Sequence, residues 1–150
     1  MTDTVPDPTL EARVRRLEDL EAIRQVLIDY GELLDLRDLD AFAELWAEDA
    51  EFEMSTGRSA IGREAIRTML ADVIARSSRA AAHIETNPRI SLDGDQATAT
   101  IMFAVAFTQD DGMARITMLG HHHDEFVRTE QGWKIQHRRN VVDLPETGHL

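Results

Sequence analysis

The stretch AHIETNPRISLDGDQATATIMFAVAFTQDDGMARITMLGHHHDEFVRTEQGWKIQHRRNVV, residues 82–142, decides the fold. Three turn signals interrupt it: Asp93-Gly94, Asp110-Asp111-Gly112 and Glu130-Gln131-Gly132. Short connections of this kind close hairpins, because Gly and Asp accept the backbone conformations that reverse a strand within two or three residues. Between them lie β-rich runs, which predict strands at about 82–92, 96–108, 113–129 and 133–142. Consecutive hairpins of long strands build a strongly twisted antiparallel sheet.

Before Ala80 the periodicity is helical. Leu10, Val14, Leu17, Leu20, Ile23, Val26/Leu27, Tyr30 and Leu33/Leu34 recur every three to four residues. This predicts a helix opened by Asp7-Pro8 and running to about Asp35, with room for one break near Asp19. Asp38 caps a short helix that carries Phe42, Leu45 and Trp46 inward, and Glu51-Phe52-Glu53-Met54 alternates as a short strand. A loop spans Gly57 to Gly62, and a further helix starts near Arg63, with Ile66, Met69/Leu70, Val73 and Ile74 as its buried stripe. Helices first and hairpins afterwards mean an α+β fold: N-terminal helices packed on a strongly curved antiparallel sheet, a cone or barrel around one apolar pocket. Residues 10–143 form the domain, with 1–9 and 144–150 as flexible tails.

A chain of 150 residues holds one core of this kind and no second one. Its net charge is −12, from 28 acidic and 16 basic residues, and that field repels phosphate backbones, so no nucleic-acid partner is expected. Without cysteine there is no disulfide and no thiolate chemistry. Met1 to Asp7 has neither the basic nor the apolar region of a secretory signal, and no apolar run approaches the ~20 residues that cross a bilayer. A cytoplasmic protein without membrane contact is therefore expected. In His121-His122-His123 only His121 and His123 share a strand face, and no third ligand follows at a recognisable spacing, so no metal is expected.

Tyr30…Asp35, Leu39-Asp40, Leu45-Trp46 and Asp49-Ala50-Glu51-Phe52 stand in an order continued by Gly62…Ile66 and His83…Asn87. Asp93-Gly94-Asp95, Gly120…Asp124 and Gly132-Trp133-Lys134-Ile135…Arg138 complete it. Over about residues 15–143 this pattern resembles the SnoaL-like branch of the nuclear-transport-factor-2-like superfamily. Scytalone dehydratase, bile-acid 7α-dehydratase and hexachlorocyclohexane dehydrochlorinase belong to that superfamily, as do non-catalytic subunits, so the fold alone does not give the activity.

The resemblance implies a cofactor-independent lyase or isomerase acting by β-elimination on a hydrophobic cyclic molecule. Tyr30, Asp35 and His83 occupy the positions of its donor, orienting acid and base. A histidine suits a base working near neutral pH, a carboxylate behind it fixes the tautomer, and a protonated tyrosine can donate to a developing oxyanion. His122 falls where a pocket aromatic is common, and Arg138 matches a basic residue near the substrate. Trp46, Phe52, Met54 and Phe103 are expected at the substrate as apolar walls. Each residue has a plainer reading: Tyr30 as core, Asp35 as a solvated helix end, His83 as a structural strand histidine. Arg138 could equally pair with Asp124 on the neighbouring strand, or yield its place to Arg139 if a bulge shifts the phase. Spacing alone separates Tyr30 from Asp35 by about 140° on an ideal helix. The resemblance further implies a homo-oligomer, dimer or trimer. The alternative function is a non-catalytic ligand binder, or the small subunit of a ring-hydroxylating dioxygenase.

Overall fold

The computed structural model describes residues 9–76 and 80–145. Helix α1 (Leu10–Leu36) is capped by Thr9, whose hydroxyl accepts the Ala12 N–H at 3.2 Å. The cap therefore falls after the expected Asp7-Pro8 pair, which lies outside the described residues. The helix does not break at Asp19. That carboxylate accepts two hydrogen bonds from Arg128, at 2.6 and 2.7 Å, and one from Trp133 Nε1 at 3.1 Å, fastening the helix to the last hairpin.

Asp38 caps α2 (Leu39–Ala43) as expected, accepting the Ala41 N–H. The helix stops before Leu45, and Trp46 instead opens β1 (Trp46–Glu53), a longer strand than the expected one. Within the predicted loop, β2 (Ser59–Ile61) pairs antiparallel with β1. Then follow α3 (Arg63–Ala75) and the long strands β3 (Ala81–Asp93), β4 (Gln96–Thr108), β5 (Ala114–Thr129) and β6 (Gly132–Leu144). Leu144, expected in a tail, ends a strand.

All six strands join one sheet in the order β2-β1-β6-β5-β4-β3. The hairpin strands are antiparallel, as expected, but β1 pairs with β6 in parallel, so the sheet is mixed. The whole meander separates β1 from β6, and no tight turn imposes an antiparallel pairing on them. The sheet also stays open between β2 and β3, so it is a cone rather than a closed barrel. The core joins Ile23 and Leu27 of α1 to Phe42, Trp46, Phe52, Ile66, Ile101, Phe126 and Ile135. No described helix is long and apolar enough to cross a membrane.

Candidate active site

Two adjacent stripes of α1 build the site. Tyr30 and Leu34, four apart, face the interior and line an apolar cavity of about 490 Å³. Gly31 and Asp35, also four apart, lie on the neighbouring stripe about 100° round the helix and meet β3. A Cβ at Gly31 would stand 3.4 Å from the His83 Cβ, so helix and strand are in direct contact here. The cavity is broad enough to touch both stripes, and this is how residues on different helix faces reach one site.

Asp35 holds His83 twice. Its Oδ1 lies 2.6 Å from His83 Nδ1, and its Oδ2 accepts the His83 backbone N–H at 2.9 Å. A carboxylate can only accept, so Nδ1 carries the proton and the lone pair is left on Nε2. Asp35, His83 and Tyr30 all line the cavity. Tyr30 is 4% exposed, and burial pushes its phenol up to about 12 against the opposing pull of Arg138, so it stays a donor at neutral pH.

Phe52, Met54, Phe103 and His122 stand in the cavity wall. The His122 ring stacks on Phe103 at 4.4 Å and meets the Tyr30 ring edge-on at 5.7 Å. Burial, reinforced by the Arg138 charge, pushes His122 well below the usual histidine range. Trp46 and Arg138 are not in the wall. Trp46 packs in the core between Phe42 and Phe52. Arg138 is fully buried and forms a two-pronged pair with Asp124, at 2.8 and 2.5 Å, as the plainer reading had it. Its guanidinium lies 3.9 Å over the Tyr30 ring, so it supports that ring from behind. The strand phase explains the choice: Phe126 faces Ile135 while Glu125 faces His137, so Gln136 is an extra residue and Arg138 turns inward while Arg139 turns out.

Three features escaped the sequence reading. Asn140 lines the cavity and contacts His122 Nδ1 through its Nδ2 at 3.4 Å. Glu85 lies beneath His122, its two-residue offset from His83 being the available signal. Gly120 admits the Phe103 ring: a Cβ there would come within 2.8 Å of it and 2.0 Å of the Val141 carbonyl oxygen.

A helix-covered open sheet with an acid–histidine pair at an apolar pocket defines a class of small pocket proteins with a cystatin-like fold. The SnoaL-like domain family matches residues 15–139. The chain belongs to that family. It is 30% identical to an NTF2-like protein with a cystatin-like fold from Novosphingobium aromaticivorans, covering 98% of this chain and 95% of that one at a TM-score of 0.85. A provisionally assigned aromatic ring hydroxylase of the same organism is 29% identical, with 89% and 95% coverage and a TM-score of 0.75. A provisionally assigned scytalone dehydratase, also from that organism, shares the fold at 23% identity, with 90% and 91% coverage and a TM-score of 0.77.

Proposed function

We propose that the protein is a cofactor-independent lyase or isomerase for a hydrophobic, cyclic small molecule. The observation that carries this reading is the 2.6 Å contact between His83 Nδ1 and Asp35 at the edge of an apolar cavity. His83 Nε2 takes a proton from the carbon next to an electron-withdrawing group. The C–H electron pair forms the new double bond, and the leaving group departs from the neighbouring carbon with its own bonding pair. Asp35 stabilises the imidazolium, and Tyr30 donates to the oxygen on which negative charge grows. Phe52, Met54 and Phe103 hold the ring system by apolar contact. The exposed Ile84 and Ile116 on the outer sheet face support self-association as part of the same reading.

The experiment is His83→Ala against a panel of hydroxylated or halogenated cyclic ketones and terpenoids, followed by loss of water or halide. The variant keeps the apolar walls, so binding should stay within about tenfold while turnover falls roughly 10²–10⁴. A ligand bound tightly by the wild type, with no member of the panel ever converted, overturns the lyase reading. The competing reading then takes its place: a ligand binder or dioxygenase small subunit, in line with the ring-hydroxylase likeness.

A further inference from the structure

Asp35 is not the sole carboxylate near His83, since Glu85 lines the same recess. Glu85 follows His83 by two positions in β3, so both side chains leave the same face of the strand. It stands opposite Phe103 of β4, and its side chain is only 5% exposed. It packs against α1, where a Cβ at Gly31 would be in ordinary contact with Glu85 Cγ at 3.7 Å. Neither carboxylate oxygen has a hydrogen-bond partner among the described residues. Oε1 comes within 3.3 Å of His122 Nε2, but without the alignment of a hydrogen bond. A buried carboxylate left in this condition is destabilising unless a nearby positive charge compensates it.

His122 does not supply that charge. The Ser55 backbone N–H can only donate, so at 3.4 Å it fixes Asn140 Oδ1 as the acceptor and turns Nδ2 toward His122 Nδ1. Nδ1 is then an acceptor, and the single proton of His122 sits on Nε2. Burial and the Arg138 charge both oppose a second proton on that ring. Arg138, hydrogen-bonded to Asp124 through two nitrogens, acts on Glu85 as a fixed charge with no hydrogen bond to it. The neighbour whose charge can still change is His83.

We propose that Glu85 is a positioning residue of the site, an internal carboxylate that stabilises the imidazolium formed when His83 takes a proton. The inference rests on His83 being the base. Asp35 acts on the ring by direct contact from a side chain 28% exposed, whereas Glu85 acts from the interior, where screening is weaker. Its attraction for His83 appears only with proton transfer, so it favours the transition state over the bound substrate. Burial pushes Glu85 above the ordinary carboxylate range, while Arg138 and then His83 pull it back. Coupling of this kind is reciprocal: what His83 does for Glu85, Glu85 does for His83. The charged and titratable groups around the pair are Tyr30, Glu32, Asp35 and Arg37 from α1 and its C-cap, His122 and Asp124 from β5, and Arg138 from β6. From β4, Phe103 and Val105 complete the wall.

Glu85→Gln keeps the shape and removes the charge. Charges two strand positions apart, about 7 Å, in a partly screened interior are worth on the order of tenfold. With a converted substrate, kcat should therefore fall about tenfold at little change in KM. The acid limb of kcat/KM should move about one pH unit downward, because the imidazolium becomes harder to form and the free base survives to lower pH. A merely structural role would reduce the amount of folded protein and leave that limb in place. A second measurement needs no turnover: ¹³C titration of the Glu85 carboxyl, whose midpoint should rise in His83→Ala. A limb unmoved in Glu85→Gln, or a carboxyl midpoint unmoved in His83→Ala, overturns the proposal. Because the carboxyl titration uses resting protein, its failure is distinct from failure of the lyase reading.

Discussion

Replacing Asp35 with asparagine tests the core of the proposed chemistry, because it preserves size and one hydrogen bond while changing two things. The amide oxygen can still accept the His83 backbone N–H, now made at 2.9 Å. The amide nitrogen cannot accept, so a proton on His83 Nδ1 loses its partner, and the tautomer with the proton on Nε2 becomes favoured. That removes the lone pair from the nitrogen assigned to the substrate. The counter-charge of the imidazolium is lost as well. At about 4 Å between charge centres and an effective dielectric near 20, that attraction is about 4 kcal/mol. Side-chain exposures of 22% for His83 and 28% for Asp35 let solvent screen part of it, leaving about 3 kcal/mol. The loss corresponds to roughly 10² in kcat, with the tautomer change adding to it. Ligand affinity should change by less than about tenfold, since the apolar wall is untouched. Folding stability should drop by about 1 kcal/mol, the scale of one hydrogen bond. The assay is single-turnover conversion alongside ligand titration by calorimetry, with urea unfolding as the control. Turnover retained within about threefold, or turnover and affinity falling together, would refute the role given to Asp35.

Tyr30 is the one tyrosine of the chain, so its ionisation can be read by ultraviolet absorbance without interference from another phenol. Its folded-state value, raised from 10.0 to about 12, means that the native protein holds the phenol proton more tightly than the unfolded chain. That contribution to stability is complete below pH 10 and fades as pH rises from 10 to 12; a phenolate signal already half developed at pH 10 in folded protein would contradict it. Gly120→Ala should destabilise by about 3 kcal/mol in urea titration, because a Cβ only 2.0 Å from the Val141 carbonyl oxygen forces β5 and β6 apart. A loss below about 0.5 kcal/mol would show that the sheet yields there freely.

The meander was legible because its turns are local: Asp93-Gly94 and Gly132 mark where the chain must reverse, and the strands between follow. The parallel β1–β6 pair was not, because it joins Trp46 to Ile135 across most of the chain, where no short-range signal acts. Trp46 itself is apolar in a helix or a strand alike, so its burial was readable and its element was not. At the site, the encounter of Asp35 with His83 came from the family resemblance. Angular spacing on α1 opposes only a shared face for Tyr30 and Asp35, and both still reach the cavity because Gly31 and Asp35 form a second stripe turned to β3. For Arg138 the resemblance implies a place near the substrate and the neighbouring strand offers Asp124 instead, and the structure has the Asp124 pair. One extra residue decides whether Arg138 or Arg139 enters the core, and either choice leaves the composition of the strand unchanged.

The displacement of Arg138 from the wall does not remove it from the proposed chemistry. A buried guanidinium is tolerable only with its charge matched, and Asp124 matches it through two hydrogen bonds, each from its own nitrogen. The pair is thereby a rigid object, and Tyr30 rests against it with the ring 3.9 Å from the cation. Phe42 at 5.1 Å and His122 at 5.7 Å confine the same ring from other sides. A phenol so enclosed has little freedom to turn, so in the proposed reaction little rotational entropy is left to lose when it donates. Arg138 also opposes the upward push of burial on the phenol, making Tyr30 a better donor than burial alone would allow. In the proposed reaction Asp35, itself at the cavity edge, orients the base, and the Arg138–Asp124 pair behind the wall orients the donor.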